Sequence, residues 1–235
     1  MATEARSADP LLIRANKLDL LERLADALAH EIKNPLHSMV INLEVLKRRL
    51  ARAGAGEQDD VLRYIGVLGG ELERVNRRIE LLLRLSRPGR GAEPATLNEL
   101  TEELMELVQL EARHRDTTVE YDPGTHLARV HVPREPARQV ILNLVLDVLD
   151  GLAPGEPLRI RVAQEEGRSQ LVVEGSYTPG PSEPDEDGFA SRYGVARTLA
   201  ETIGGRVDPL GVPAGTPDDS AAAAGVVFSL PASRG

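Results

Sequence analysis

Two long stretches of apolar residues, spaced alternately three and four positions apart, restrict this chain more than any other feature of its sequence. The first runs from Leu18 to Leu50 and the second from Val61 to Leu82. Such spacing places the apolar side chains along one stripe of an α-helix, as in a coiled coil. Two successive steps of four surround Ile32, which is a stutter in the repeat. The sequence therefore predicts two long amphipathic helices.

A short turn is predicted between these helices. The segment Ala53-Gly54-Ala55-Gly56 interrupts the apolar pattern, and a Pro- and Gly-containing run at residues 86–91 ends the second helix. Two amphipathic helices around a short turn form an antiparallel hairpin, which by itself leaves part of its apolar stripes in water. We therefore expect residues 10–90 to be a helical hairpin that dimerises into a four-helix bundle, after a flexible tail at residues 1–9. Burial of the stripes against the rest of the same chain is the alternative.

Residues 91–235 follow a different pattern, in which short alternating stretches lie between shorter helices. Helices are predicted at residues 96–115, 136–152 and 193–203, and strands at residues 117–121, 129–132, 158–163, 170–174 and 226–230. Thr96 and Glu99 predict a capping box at the start of the first of these helices. The low-complexity segment Pro209–Ala224 predicts a mobile loop. Together these elements predict an α+β sandwich of helices over one mixed sheet.

The composition excludes several classes of function. The chain has 235 residues, no Cys and a formal net charge of −9, from 28 Lys+Arg and 37 Asp+Glu. The lack of Cys excludes disulfide scaffolds, thiol catalysis and Cys-ligated metal sites, and the acidic balance argues against nucleic acid as a main partner. No apolar run approaches the ~20 residues of a membrane span, and the N-terminus lacks an apolar signal core. We expect a cytoplasmic protein that binds neither nucleic acid nor membrane.

A polar cluster lies within the first predicted helix at His30, Glu31 and Asn34, followed by Pro35. On the heptad, His30 falls at the outermost position, Asn34 lies one turn later on the same face, and Glu31 lies beside them. An exposed imidazole can act as a nucleophile toward phosphorus near neutral pH, and a neighbouring carboxylate can fix its tautomer and accept its proton. By spacing alone, an ordinary surface histidine is the commoner interpretation.

The run from Leu28 to Leu36, Leu-Ala-His-Glu-Ile-Lys-Asn-Pro-Leu, closely resembles the phosphoacceptor box of two-component sensor histidine kinases. The surrounding residues also resemble the dimerisation and histidine-phosphotransfer hairpin of that family in length and in the position of the histidine. The resemblance implies that His30 is the phosphorylated residue and that Glu31 is its acid/base partner. It also implies that Asn34 assists dephosphorylation of a partner response regulator.

Residues 91–235 resemble the ATP-binding domain of the same family less completely. The helix of residues 136–152 matches the helix that supplies two Asn to magnesium and phosphates in that family. Asn143 matches the first Asn, but the second position is Asp147. The resemblance therefore implies a degenerate domain of histidine-kinase ATPase type, with Asn143 and Asp147 as its altered cofactor-binding residues.

Two further elements of that resemblance are altered. The strand that ends at Glu174 leads into Gly175 where the family has an adenine-binding Asp. Arg192 and Tyr193 stand where a glycine-rich turn at a helix N-terminus should let backbone N–H groups approach phosphates. We therefore do not expect ATP or Mg²⁺ as cofactors at this site, and we expect no other metal site. A carboxylate at Glu174 or Asp147 could compensate by binding Mg²⁺ or an amino group.

Together these features favour a histidine phosphotransfer protein of a bacterial phosphorelay, built like a histidine kinase that has lost its own catalysis. His30 would accept a phosphoryl group from the aspartate of one response-regulator receiver domain and pass it to another. Its partners would be a second copy of the chain, receiver domains and an upstream histidine kinase. The alternatives are an active soluble histidine kinase without a sensor domain, which phosphorylates His30 with ATP, and a non-catalytic binding module.

Overall fold

A computed structural model describes residues 10–50, 58–86, 92–125, 127–180, 191–211 and 223–232. The tail at residues 1–9, the turn at residues 53–56 and the linker at residues 87–91 lie outside these ranges. The chain divides into two compact units, one of Leu21–Arg87 and the other of Met1–Leu20 together with Pro88–Gly235. No helix of the described residues has the combination of length and apolarity that crossing a bilayer requires.

Two long helices occupy the N-terminal part of the chain: α1 spans Pro10–Leu50 and α2 spans Gln58–Ser86. Both predicted helices are thus confirmed, and α1 continues through the buried Pro35. Arg78 of α2 bonds Glu31, and Arg49 lies over the ring of Tyr64. The middle of α1 thus contacts the C-terminal part of α2, whereas the end of α1 contacts the start of α2. The two helices are therefore antiparallel.

Much of the predicted apolar stripe is exposed in the single chain. Leu28, Leu46 and Val75 are buried. Six other stripe residues are between 43% and 54% exposed, namely Leu36, Leu43, Leu50, Ile65, Leu72 and Ile79. A contiguous exposed apolar surface is typical of an interaction face. For antiparallel helices, such a face is the one that a second hairpin covers in a four-helix bundle.

The C-terminal part of the chain is an α/β domain in which helices pack on a mixed sheet, which confirms the expected sandwich. Its elements are β1 (Ala92–Ala95), α3 (Leu97–His114), β2 (Val119–Asp122), β3 (Val130–Pro133), α4 (Arg134–Gly151), β4 (Leu158–Glu165), β5 (Arg168–Tyr177), α5 (Arg192–Thr202), β6 (Arg206–Leu210) and β7 (Ala223–Pro231). The main sheet has the order β2-β4-β5-β7-β6. Among its described strands, β2 and β4 pair in parallel and the other pairs are antiparallel. β1 and β3 form a separate antiparallel pair.

The sequence explains why α4 is the central helix of this domain. Its residues 140–146 are all buried, in keeping with a nearly continuous apolar run in the sequence. In β4, by contrast, Leu158, Ile160 and Val162 are buried while the two arginines between them are exposed. This alternation places one face of the strand in the core and the other at the surface. The helix layer and the inner sheet face thus share one apolar core.

Sequence analysis did not predict two of the strands, β1 and β6. The loop that it predicted at Pro209–Ala224 is wrong at both of its ends. Pro209 lies within β6, and Ala224 lies within β7. Residues 212–222 of that segment lie outside the described residues. The physical reason is that β6 is an edge strand, where proline is tolerated because one side of the strand needs no ladder hydrogen bond. Pro94 similarly lies in β1, which pairs with β3 alone.

The first turns of α1 dock on α4. The Asn16 Nδ2 atom donates to Gln139 Oε1 over 3.1 Å, and both side chains are buried. Lys17 Nζ lies 2.8 Å from Glu135 Oε1. Burial acts to raise the pKa of Glu135, but hydrogen bonds from Lys17 and Arg138 outweigh it, so the pKa of this carboxyl is lowered. This explains why residues 10–20 belong to the same compact unit as α4.

Replacing Thr96 with Ala should lower the free energy of unfolding by about 1 kcal/mol, because it removes an N-cap. The expected capping box is present: Glu99 N donates to Thr96 Oγ1 over 3.2 Å, and Thr96 N donates to Glu99 Oε2 over 2.9 Å. Urea unfolding measures the change. Thr96→Ser keeps the hydroxyl and should retain most of the stability, so an equal loss in both variants would contradict this account.

Candidate functional site

His30 lies on the surface of α1. Its side chain is exposed, whereas Leu28, two residues earlier on the other side of the helix, is buried, as is Leu24 about one turn before Leu28. The exposed position is the one that the heptad predicts for His30. Asn34, one turn later, is also exposed, and the two side chains share one helix face. An imidazole on the surface of a long helix can meet a phosphoryl group carried by another protein.

Glu31 directly follows His30 and is tied to the second helix. Arg78 Nη2 of α2 donates to Glu31 Oε2 over 3.2 Å, and the two side chains are only 19% and 28% exposed, respectively. The ion pair therefore ties the Glu31 carboxylate to α2, while the side chain of the preceding residue, His30, remains exposed. The role predicted for Glu31, accepting a proton from the imidazole, requires such a fixed carboxylate. Arg78 also brings a positive charge to this part of the hairpin.

Replacing Arg78 with Ala should slow phosphorylation of His30 about tenfold, which corresponds to the ~1.4 kcal/mol of one charge-assisted hydrogen bond. The reason is that Glu31, the proposed proton acceptor, would lose the guanidinium that holds it in place. The rate of label incorporation measures the effect, and Arg78→Lys should restore part of it. Arg74→Ala is the matched control, because Arg74 pairs with Glu71 within α2. Equal slowing in both alanine variants would refute a positioning role for Arg78.

Asn143 and Asp147 lie one turn apart on α4. Asn143 is fully buried, and its Nδ2 atom donates to the Gln139 carbonyl over 2.8 Å, within its own helix. Its Oδ1 atom accepts no hydrogen bond from the described residues. Asp147 is half-buried. The side chain of Asn143 is thus enclosed by the helix layer and has no solvent-exposed surface.

Asp150, at the end of α4, connects three helices. Arg115 Nη2 lies 2.6 Å from one oxygen of Asp150, and Arg192 Nη1 lies 2.5 Å from the other. Arg115 follows α3, and Arg192 is the first residue of α5. The backbone N–H of Gly194, in the first turn of α5, donates to Ser191 Oγ over 3.0 Å. The polar groups where a phosphate-binding turn is expected therefore bind one another.

Gly175 is covered by apolar side chains from the same end of α4. A Cβ atom at residue 175 would overlap Leu152 Cδ2 and Val148 Cγ1. The next backbone N–H, of Ser176, donates to Glu156 Oε1 over 3.0 Å. Hydrogen bonding from Ser176, and to a lesser extent from Ala153, lowers the pKa of the Glu156 carboxyl. An aspartate could not enter at residue 175 without displacing Leu152.

Several of these contacts lie where the family resemblance implies nucleotide-binding groups. Leu152 covers Gly175, where the resemblance implies an adenine-binding residue, and Arg192 pairs with Asp150 where it implies a phosphate-binding turn. Glu174, which could have compensated, lies 3.9 Å from Arg161 of the neighbouring strand. Among the described residues there is also no group of three His, Asp or Glu side chains placed to hold a metal ion.

Sequence reasoning found the histidine cluster but missed the partner of Glu31 and two charged residues of the C-terminal domain. Arg78 is 47 residues from Glu31, and no periodic pattern links two such positions. Asp150 and Arg115 carried no motif either, although Arg192 was noticed as an unexpected residue. Of the other histidines, His37 is exposed on α1, and His126 lies outside the described residues. The roles predicted for His30, Glu31 and Asn34 remain predictions that require experiment.

The sequence matches the model of the His Kinase A (phospho-acceptor) domain over residues 20–91. This range contains both the histidine cluster and Arg78. The match covers most of the hairpin that was expected at residues 10–90.

Similar curated proteins include a sensor histidine kinase and a sporulation kinase. The chain is 27% identical to the sensor histidine kinase ZraS of Klebsiella oxytoca over 214 residues, which are 85% of this chain and 45% of ZraS. It is 30% identical to sporulation kinase D of Bacillus subtilis (strain 168) over 163 residues, which are 68% of this chain and 31% of that kinase. The chain thus spans less than half the length of these relatives.

Among solved structures, the catalytic domain of the histidine kinase ThkA aligns with 61% of this chain and 98% of its own length. The sequence identity is 20% and the TM-score is 0.48.

Proposed function

This chain belongs to the two-component histidine kinase family, with a phospho-acceptor domain at residues 20–91, and on that premise we propose that it transfers phosphoryl groups through His30. The observation that carries the proposal is the exposed His30 on α1, followed by a carboxylate that Arg78 holds in place. Such an arrangement combines an accessible nucleophile with a fixed proton acceptor.

The transfer step needs only the chemistry of the imidazole. A ring nitrogen of neutral His30 attacks the phosphorus atom, and an N–P bond forms while the bond from phosphorus to the leaving oxygen breaks. The leaving oxygen keeps the electron pair, and the second ring nitrogen releases its proton to Glu31 or to water. Such phosphoryl transfers proceed through a loose, in-line transition state. In this proposal Asn34, exposed one turn from His30, orients a phosphoryl oxygen or a water molecule.

The relatives favour ATP as the phosphoryl donor. ZraS and sporulation kinase D are kinases by name, and the similarity to them extends beyond the hairpin into the C-terminal domain. The comparisons thus support a histidine-kinase-type signalling role better than a pure phosphotransfer between receiver domains. Autophosphorylation of His30 with ATP is therefore the first candidate activity.

The second candidate is phosphotransfer from the aspartyl phosphate of a receiver domain. One observation favours it: Arg192 is bound to Asp150 where the first candidate requires a phosphate-binding turn. In that scheme the energy comes from the partner's acyl phosphate, so the C-terminal domain needs no nucleotide. An upstream histidine kinase would supply the first phosphoryl group.

The same reasoning gives the partners. We propose that two copies of the chain pair through the exposed stripe of α1 and α2 to form a four-helix bundle. Response-regulator receiver domains are the partners that exchange phosphoryl groups with His30.

One labelling experiment tests the function and separates the candidates. The full chain is incubated with γ-labelled ATP and Mg²⁺ and, separately, with a receiver domain that carries a labelled aspartyl phosphate. Label from ATP that disappears in His30→Ala would establish autophosphorylation. Label from the receiver alone would establish phosphotransfer. Absence of His30-dependent label by both routes would overturn His30 as the phosphorylated residue.

A further inference from the structure

The end of α4 and the loop after it form what we name the α4 plug, defined as Val148, Asp150, Leu152 and Glu156. We propose that the α4 plug occupies the nucleotide position of the C-terminal domain, which decides between the two candidates: it favours the second, transfer to His30 from a protein aspartyl phosphate, over the first, transfer from ATP bound in this domain. The identity of the phosphoryl donor in this inference rests on the proposed function of His30. Occupation of the nucleotide position by the α4 plug does not rest on it.

The first observation is that apolar side chains fill the space beside Gly175 in β5. Leu152 and Val148 lie where the first side-chain carbon of residue 175 would be, so the strand end that should present an adenine-binding aspartate is closed by hydrocarbon. Core packing tolerates such overlap poorly, because neighbouring atoms must move to relieve it. A polar base-recognition group therefore has no room at the end of β5 while Leu152 keeps this position.

The second observation is that the backbone donors nearby are already used. Ser176 N donates to Glu156 Oε1 over 3.0 Å, and Gly194 N donates to Ser191 Oγ over 3.0 Å. Val195 N donates to the Ser191 carbonyl over 2.9 Å. A ligand that approached these N–H groups would have to replace hydrogen bonds within the chain, which cancels much of the gain from the new bonds.

The third observation concerns charge. Asp150 binds Arg115 and Arg192 with its two oxygens, and Asp147 lies one turn before it on α4. The Asp150 carboxylate thus neutralises part of the charge of two guanidinium groups, which weakens their attraction for an anion such as Mg·ATP. Each ion pair is about one third exposed, so neither is strong by itself. Exclusion of Mg·ATP therefore depends both on the partly neutralised charge around Asp150 and on the volume that Leu152 and Val148 fill.

These three features share one segment, which makes the inference testable without measuring catalysis. Asp150→Asn removes one carboxylate and leaves Arg115 and Arg192 to attract phosphates. Leu152→Ala removes the side chain that covers Gly175. The double variant Asp150→Asn/Leu152→Ala should therefore bind nucleotide better than the natural chain. The matched control is Asp208→Asn, because Asp208 pairs with Arg206 over 2.8 Å in β6, away from α4.

The experiment is a titration of the full chain and its variants with Mg·ATP, followed by calorimetry and by the shift in melting temperature. We expect no saturable binding of Mg·ATP by the natural chain or by Asp208→Asn. The double variant should bind Mg·ATP at least about tenfold more tightly than any residual binding by the natural chain. A ligand at 100 times its Kd raises the melting temperature by several degrees, so binding would not escape detection. Circular dichroism checks that the double variant is folded, and Asp150→Asn alone keeps the test valid if it is not.

Two results would overturn the inference. Saturable binding of Mg·ATP by the natural chain would show that the position is open. Failure of folded plug variants to gain affinity would show that the α4 plug is not what closes it. A parallel reaction with a labelled, phosphorylated receiver domain separates this inference from the proposed function. If the receiver labels His30 while ATP binds the natural chain, only the α4 plug fails; if the receiver leaves His30 unlabelled and nucleotide binding follows the expected pattern, the transfer role fails instead.

Discussion

Replacing His30 with Ala should reduce phosphoryl labelling of the chain to background, whichever donor is used. The imidazole nitrogen is the nucleophile of the proposed step, and alanine offers no atom that can form a bond to phosphorus. The structure gives no packing reason for a loss, because the side chain is exposed on the surface of α1. The free energy of unfolding should therefore change by no more than about 0.5 kcal/mol.

His37→Ala provides the matched control for this result. His37 lies on the same helix and is also exposed, but it lies outside the cluster formed by Glu31 and Asn34. Labelling should be retained in this variant, and urea unfolding should place both alanine variants close to the natural chain. Persistent labelling of His30→Ala, or equal loss in both variants, would refute the assignment of His30 as the phosphorylated residue.

Introducing charge into the exposed stripe should convert a dimer into a monomer. We expect the natural chain to have a mass in solution near twice the 25.5 kDa of one chain, and the variant Leu43→Lys/Leu72→Lys to have a mass near 25.5 kDa. Leu43 and Leu72 are 44% and 54% exposed in the single chain, so dimerisation would bury both. Burial of one leucine contributes about 1.5–3 kcal/mol, and each substitution occurs twice in a dimer. A lysine ammonium buried without a partner adds a further penalty.

Size-exclusion chromatography with light scattering measures these masses. Arg77→Glu is the control for added charge, because residue 77 lies at the outward heptad position of α2 and is exposed. This variant should remain dimeric. A monomeric natural chain would contradict the proposed four-helix bundle, as would a double lysine variant that keeps the dimer mass.

The long helices were predictable because their signal is local. The spacing of leucines from Leu18 to Leu50 specifies a helix whatever the rest of the chain does, and α1 follows it even through Pro35. The capping box of Thr96 and Glu99 was predictable for the same reason, since both partners lie within one turn. The edge strands β1 and β6 were not, because short proline-containing segments acquire strand structure only from a neighbouring strand.

The residues of the candidate site also include some that the sequence predicted and one that only the tertiary structure shows. His30, Glu31 and Asn34 are close in sequence, so helical geometry alone places them together on one side of α1. The partner of Glu31, however, comes from another helix, and many arginines in α2 would have fitted a sequence argument equally well. Only the antiparallel packing of the hairpin selects Arg78.

The sequence by itself determined the two long helices, the exposed position of His30 and the capping box of α3, because each depends on residues within a few turns of one another. The tertiary structure alone decided that Arg78 holds Glu31, that Asp150 joins Arg115 to Arg192, and that Leu152 covers Gly175. These contacts join segments that are distant in the chain. Their partners are selected by packing of the helices against one another and against the sheet, and no repeat or motif in the sequence encodes that choice.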